Sequence, residues 1–292
     1  MDWRDRGHKK ALLAWDRLCC PKAAGGLNIL DIGIWNKAAI CKLLWSLSKK
    51  KDKMWIQWVH LYYKRYITWG DRPKQASWVV KKIIKAKKHF EKAGYSEEKV
   101  LQMDKFSIKA MYSKLRGEFT KVSWRRMTCN NAGLPKWTST LYLAAHRRLL
   151  TRERLGRWGF LEDTSCALCN SEEEIIDHLF FKCSFSTQVW AAMLEWQGIK
   201  RRVMAWGQEL EWAERQYKLK SRTAEVYIMV LAGSIYYIWQ ERTARVFQAR
   251  QRSAEAITRQ LVQEVHYRGG TKHRLKERLL ELNYYPIVHM DV

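Results

Sequence analysis

Apolar residues recur at helical spacing along most of the chain. Three stripes show it best: Trp55, Trp58, Val59, Tyr62 and Tyr66; Val79, Val80, Ile83, Ile84 and Phe90; and Tyr227, Val230, Leu231, Ser234, Ile235, Ile238 and Trp239. Asp52 and Ser77 precede the first two stripes, where each can cap a helix, and Gly94 follows the second. Strand-like alternation is confined to Leu27-Asn28-Ile29. The pattern predicts a mostly α fold, an irregular array of helices.

Charge is the most unusual property of the composition. The 292 residues contain 54 Lys plus Arg against 29 Asp plus Glu, a net charge of +25 at pH 7. Residues 49–116 hold 19 of these cations and only 6 anions. Such an excess of positive charge destabilises a compact protein by self-repulsion, and it predicts a polyanionic partner that neutralises the charge. RNA or DNA, bound through its phosphates, is the expected partner, with an acidic membrane surface as the rival.

The second stripe carries lysines on its polar side. Lys81, Lys82, Lys85 and Lys88 are the candidates for contacts with the nucleic-acid backbone in this region. Lysines that displace condensed counterions give sequence-independent, salt-dependent binding. The alternative interpretation is an ordinary solvated helix face.

A cysteine and histidine motif gives the sharpest chemical signal. Cys166 and Cys169 are separated by two residues, His178 follows after eight more, and Cys183 after a further four. Cys-x2-Cys can present two thiolates to one ion, and a histidine and a third cysteine complete a tetrahedral shell suited to Zn²⁺. Because the protein would fill all four positions, the sequence predicts one structural zinc in a small Cys3His knuckle subdomain. Ser171 and Glu174 are spaced as a capping box, which predicts a short helix beginning there.

Signals for catalysis and for membrane insertion are weak. No clustered carboxylates that could hold two metal ions occur, nor any nucleotide-binding or hydrolase motif, so no active site is expected. Cys19, Cys20, Cys41 and Cys129 are expected to pack in the core. The chain shows no secretory signal, and its longest apolar run is too short to span a membrane. We therefore expect an intracellular, nuclear protein, and the basic run at 49–53 would suit nuclear import.

Several further motifs point to one family. They are Leu134-Pro135-Lys136-Trp137, the run from His146 to Leu155, the Cys3His residues with Glu173, Val189-Trp190, and Ile238-Trp239-Gln240-Glu241-Arg242 with Val246-Phe247. Upstream stand Ala14-Trp15-Asp16, Cys19, Pro21-Lys22, and Gly25-Gly26-Leu27-Asn28-Ile29. Together they resemble the reverse-transcriptase zinc-binding domain of plant LINE-type (non-LTR) retrotransposons and the segment that follows the polymerase palm. Asn28 stands where a glycine is usual and Thr243 where an asparagine is common.

The resemblance implies an organisation and a function. Residues 1–70 would be a thumb-like helical segment, 71–118 a basic helical connector, 119–200 the zinc-binding domain and 201–292 a C-terminal helical region. It implies a non-catalytic region that helps to hold template RNA or target DNA beside the polymerase core of the parent element. The cluster of Arg147, Arg148, Arg152 and Arg154 supplies further candidates for contacts with phosphates.

A second hypothesis belongs to another class. The chain could be an inert or repurposed remnant that binds a protein partner, with the zinc only holding the fold. In that case an exposed apolar stripe, such as the helix over 227–239, would form the interface.

Overall fold

Helices provide nearly all the regular structure of the computed structural model, as the apolar stripes predict. The structure describes residues 12–49, 53–63, 69, 76–218 and 221–282. Within these ranges the only β pairing is an isolated bridge between Ser165 and Glu173. The mostly α fold is therefore confirmed, whereas the alternation at 27–29 does not form a strand. Asn28 there has φ of 59°, a left-handed conformation that asparagine tolerates better than most residues.

The described residues divide into two units. The lysine-rich unit consists of Leu18–Pro21 and Gly26–Thr120, and the Cys3His unit contains the described residues within Met1–Arg17, Lys22–Gly25 and Lys121–Val292. Helix α1 (Trp15–Cys19) has residues in both. The division into four segments made from the sequence stays a prediction.

In the lysine-rich unit one long helix organises the core. Its helices are α2 (Ile32–Ser48), α3 (Met54–Tyr62), α4 (Trp78–Lys85), α5 (Lys87–Lys92), α6 (Glu97–Gln102) and α7 (Ile108–Arg116). Helix α2 packs against α4, α5, α6 and α7. Its Cys41 is fully buried, as predicted, and burial raises the pKa of that thiol to about 12.

Polar residues fix the ends of these helices. The Asp31 carboxylate accepts a hydrogen bond from the Ile34 N–H at 2.9 Å and caps α2. Ser77 caps α4 as predicted, accepting from the Val80 N–H at 3.4 Å. Helix α3 begins after Lys53, which makes no side-chain capping bond. The proposed cap Asp52 and the stripe residue Tyr66 lie outside the described residues.

The Cys3His unit is built around the longest helix. Its helices are α8 (Arg125–Cys129), α9 (Pro135–Ala145), α10 (Arg152–Arg157), α11 (Ser184–Trp196), α12 (Trp206–Lys218), α13 (Arg222–Gln248), α14 (Ala254–Gly270) and α15 (His273–Leu280), with a 3₁₀ turn at Lys22–Ala24 and a π-helical turn at His178–Lys182. Helix α13 contacts α9, α11, α12, α14 and α15. At Gly233 an added Cβ would lie 2.5 Å from the Leu261 Cδ1, so glycine permits the close approach of α13 and α14.

This packing corrects one expectation. Helix α13 is buried from Val226 to Ile235 and again at Tyr237 and Ile238. The stripe over 227–239 was considered as an interface for a protein partner, but it forms the centre of the core. Its apolar residues are matched by α9, α11 and α14 rather than left for another chain. Of the cysteines expected in the core, Cys19 and Cys41 are buried, and Cys20 and Cys129 are half-buried.

Candidate metal centre

A short backbone ladder shapes the Cys-x2-Cys turn. The Cys166 N–H donates to the Glu172 carbonyl at 2.7 Å, and the Glu174 N–H donates to the Thr164 carbonyl at 2.9 Å. Between them, the Asn170 N–H donates to the Cys166 carbonyl at 2.7 Å, and Asn170 has φ of 56°. This tight reversal turns Cys166 and Cys169 toward the same side.

The other two ligand candidates come from the π-helical turn. Its bond runs from the Cys183 N–H to the His178 carbonyl at 2.8 Å, five residues apart. In a regular α-helix five residues cover about 1.4 turns, so these side chains would diverge. The wider π turn closes one revolution over the same stretch, which brings His178 and Cys183 onto one face.

The four side chains meet at one point. Their donor atoms all lie within 4.8 Å of one another. The Sγ atoms of Cys166 and Cys183 are 3.9 Å apart, and the Cys169 Sγ lies 3.2 Å from the His178 Nε2. A tetrahedral ion with about 2.3 Å bonds to sulfur would hold its sulfur ligands about 3.8 Å apart. The donor set and its spacing therefore fit one metal ion, and three thiolates with one imidazole are ligands that zinc takes.

The surroundings act in opposite directions on two of the thiols. The hydrogen bond from Cys166 to the Cys183 sulfur lowers the pKa of Cys183, which favours its thiolate, and together with burial it raises the pKa of Cys166. The Glu172 Oε2 lies 2.9 Å from the His178 Nδ1, off the line of the ring N–H, so the contact is electrostatic. A carboxylate behind the imidazole increases its basicity as a ligand through Nε2.

The capping box predicted at Ser171 and Glu174 is wrong. No helix begins at Ser171, whose hydroxyl donates instead to the Cys169 Sγ at 3.2 Å. Glu174 is fully buried. Its carboxylate does not cap a helix at Ser171. It accepts hydrogen bonds from the backbone N–H groups of Arg152 at 2.8 Å and Ala167 at 3.3 Å.

The main partner of Glu174 is Arg242 on α13. The Arg242 Nη2 and Nε lie 2.7 and 3.0 Å from the Glu174 Oε1, and both side chains are almost completely buried. One carboxylate thus connects the Cys-x2-Cys turn, the start of α10 and the central helix. The sequence places Arg242 in the predicted C-terminal helical region and indicates no partner for it. The available signal was a Glu-Arg pair one residue beyond the longest apolar run, because a cation on a buried helix requires a buried anion.

A second buried carboxylate strengthens the same region. Glu241 accepts from the Arg245 Nε at 2.9 Å, and from the backbone N–H and Nε of Arg252 at 2.9 and 3.0 Å. Burial opposes ionisation, but these bonds outweigh it and hold the pKa of Glu241 below its usual value. Arg245 also donates to the Leu168 carbonyl at 3.0 Å, inside the Cys-x2-Cys turn. The knuckle is therefore supported from α13 at two points.

The comparison with protein families agrees with this geometry. Residues 106–190 match the family described as zinc-binding in reverse transcriptase. Neither the curated proteins nor the solved structures gave a match. The matched zinc-binding segment includes Glu174 and all four Cys3His residues, and it confirms the resemblance to a reverse-transcriptase zinc-binding domain. Arg242 lies beyond it, so the buried pair attaches this segment to a helix outside the matched residues.

The lysine candidates lie outside this zinc-binding segment. Lys81, Lys82 and Lys85 are exposed on α4, and Lys88 is exposed on α5. The apolar side of the same two helices is buried through Val80, Ile83 and Phe90. Among the described residues, no carboxylate lies within ion-pair distance of any of these four lysines. Their contact with nucleic acid stays a prediction.

The arginine candidates, which lie inside the zinc-binding segment, differ from one another. Arg147 is exposed and pairs with Asp177 at 3.0 Å, and Arg152 pairs with Asp163 at 3.0 Å. Arg148 is exposed. Arg154 is buried, its guanidinium lies 4.7 Å from the Trp158 ring centre, and burial lowers its pKa. Only Arg148 combines exposure with the absence of an ion pair among the described residues.

The described residues contain no second cluster that could bind a metal ion. Within the described ranges, the Cys3His group is the only set of three or more His, Cys, Asp or Glu residues whose donor atoms could share an ion. The match covers an accessory domain and includes neither a polymerase nor an endonuclease domain. Of the helices that the structure describes, none is both long enough and apolar enough to cross a membrane.

Proposed function

We propose that this chain is a non-catalytic, zinc-stabilised nucleic-acid-binding region derived from the reverse transcriptase of a plant non-LTR retrotransposon. It would contact template RNA or target DNA in the nucleus, beside the polymerase core of the parent element. The match over residues 106–190 supports the reverse-transcriptase origin. The binding role is supported by the lysine face, which we define as the exposed Lys81, Lys82 and Lys85 of α4 and Lys88 of α5.

The metal in this proposal is a single structural Zn²⁺. Cys166, Cys169, His178 and Cys183 would hold it, and since all four positions are filled by protein, no position is left for a water or a substrate. Its contribution would be folding energy: it would tie the Cys-x2-Cys turn to the π-helical turn. Catalysis by this chain alone is not part of the proposal, and a primer-extension assay with Mg²⁺ should give no product.

The binding role follows from how the lysines are presented. Four lysines on two consecutive helices are exposed, and no carboxylate among the described residues neutralises them. Opposite them the same helices are fixed to the core of the lysine-rich unit, so the charges stand on a rigid support. A row of unpaired ammonium groups attracts phosphates irrespective of base sequence, and its affinity falls with salt.

Charge reversal tests this role directly. We expect Lys81→Glu, Lys82→Glu, Lys85→Glu and Lys88→Glu, combined in the zinc-loaded chain, to weaken binding to single-stranded RNA of any sequence. If all four lysines contact phosphates, the plot of log affinity against log salt should become shallower by about 3. The matched control reverses four exposed lysines of the Cys3His unit, Lys121, Lys200, Lys272 and Lys276, and changes the net charge equally.

The control separates a specific surface from overall charge. Equal losses in the two variants would mean that only the net charge of +25 attracts the RNA. Affinity unchanged in the first variant would remove the lysine face from the proposal. Complete absence of binding at low salt would leave the protein-interaction alternative as the better description of the chain.

A further inference from the structure

Aromatic side chains lead to the lysine face from the neighbouring helix. On α3, the rings of Trp58 and Tyr62 are stacked, with centroids 5.0 Å apart and an angle of 18° between their planes. Their side chains are 57% and 64% exposed. Rings exposed to this extent leave apolar surface in water, and a contiguous exposed apolar patch marks an interaction site.

The stack continues toward α4 through direct contacts. Tyr62 meets Tyr63 edge-on, with ring centroids 4.9 Å apart. The Tyr63 hydroxyl accepts a hydrogen bond from the Ser77 N–H at 2.8 Å, at the cap of α4. The next residue is Trp78, which is 72% exposed. The centroid of its ring lies 5.0 Å from the Lys82 Nζ.

We infer that Trp58, Tyr62, Tyr63, Trp78, Lys81 and Lys82 form one binding surface for single-stranded nucleic acid, the aromatic–lysine strip. This inference rests on the proposed function and specifies its ligand. Unpaired bases would stack on the rings of Trp58, Tyr62 and Trp78, and the lysines would bind the adjoining phosphates. In a duplex the faces of the bases are covered by neighbouring base pairs. A duplex could therefore bind this surface only through contacts between its phosphates and the lysines.

The charge of the strip decides between nucleic acid and protein as its occupant. An apolar patch for a protein partner is normally depleted of lysine at its centre. Here Lys82 lies over the ring of Trp78, and Lys81 is near enough to Tyr63 to help lower the pKa of its hydroxyl, after the hydrogen bond with Ser77. Exposed rings interleaved with ammonium groups are the combination that single-stranded nucleic acid requires.

Three probes of the same length test the inference on the full, zinc-loaded chain: a labelled single-stranded RNA, an abasic strand with the same phosphates, and a duplex. We expect the wild type to prefer the single-stranded RNA over both others at equal salt. Replacing Trp58 and Tyr62 together by alanine should weaken binding of this RNA by tenfold or more. Binding of the abasic strand should not change, because its phosphates remain available to the lysines.

Two variants of Trp78 and two control variants make the result specific. Trp78→Ala should weaken RNA binding and Trp78→Phe should restore most of it, because phenylalanine keeps a stacking face. Phe160→Ala and Tyr267→Ala remove rings of similar exposure from the Cys3His unit and should leave affinity unchanged. All these side chains are largely exposed, so the variants should fold, which circular dichroism verifies.

The outcomes distinguish this inference from the proposed function. Aromatic variants that bind the single strand like the wild type, while reversal of the four lysines still weakens it, would overturn the strip and leave nucleic-acid binding intact. Tighter binding of the duplex than of the single strand would also overturn it. If neither the aromatic nor the lysine variants changed affinity, both proposals would fail.

Discussion

Glu174 and Arg242 form a fully buried ion pair across 68 residues of sequence, with the shortest contact 2.7 Å. Glu174 lies between two metal-ligand candidates in the chain, and Arg242 lies on the central helix of the same unit. The carboxylate is also held by two backbone N–H groups, so its charge is well compensated. This pair makes the position of the knuckle depend on α13.

Removing Arg242 should therefore destabilise the Cys3His unit severely. Arg242→Met leaves the buried carboxylate without its countercharge, which costs about 3–5 kcal/mol in comparable cases. Denaturant unfolding of the zinc-loaded chain measures the loss. The control is Arg222→Met on the same helix, whose partner Glu277 is exposed, and it should cost no more than about 1 kcal/mol. Similar losses in both variants would contradict a special role for the buried pair.

Loss of one thiolate should remove the metal. Cys183→Ser should lower the bound zinc from one per chain to nearly none, and the thermal unfolding temperature should fall because metal binding contributes folding energy. Colorimetric zinc release measures the stoichiometry. The half-buried Cys129, which is outside the cluster, provides the control: Cys129→Ser should retain one zinc. A full complement of zinc in Cys183→Ser would refute the ligand assignment.

The carboxylate beside His178 should tune zinc affinity without providing a ligand. Glu172→Gln removes the negative charge 2.9 Å from the His178 Nδ1, and zinc affinity should fall by about 10- to 100-fold. Competition with a chelator of known affinity measures the change, while the stoichiometry should stay at one. The neighbouring Glu173 is exposed and has no contact with the imidazole, so Glu173→Gln should behave like the wild type.

Acid should weaken the fold partly through Glu241. Burial alone would raise the pKa of this carboxyl, but hydrogen bonds from Arg252 and Arg245 hold it below its usual value in the folded state. A carboxyl with a depressed folded pKa stabilises the protein above its unfolded pKa, and this contribution disappears as the pH falls through the folded pKa. Unfolding temperatures measured from about pH 6 down to pH 3 should decline less steeply in Glu241→Gln than in the wild type.

The same series includes its own control. Zinc ligands also take up protons in acid, so both proteins will lose stability, and only the difference between them reports on Glu241. Parallel curves would show that the Glu241 carboxylate is not selectively stabilised by the two arginines.

Local patterns were enough for most of the helices and for the members of the Cys3His cluster. The spacing of Val80, Ile83 and Phe90 predicted one helix between Ser77 and Gly94, which the structure divides at Ala86 into α4 and α5. Ser77 was recognised as a cap because that bond is made within four residues. The Cys3His motif was visible because its ligands lie within one short segment. Asn28 was also understood in advance, since its left-handed conformation is a property of the residue itself.

Only the tertiary structure decided which charges and apolar faces remain available. Arg154 and Glu174 resemble surface residues in the sequence, yet both are buried, and the stripe over 227–239 is covered on several sides. The exposed ring of Trp58 belongs to the same apolar stripe as the buried Val59. A sequence determines what each residue prefers, but burial depends on which distant segments pack together, and such contacts leave no periodic signal in one chain.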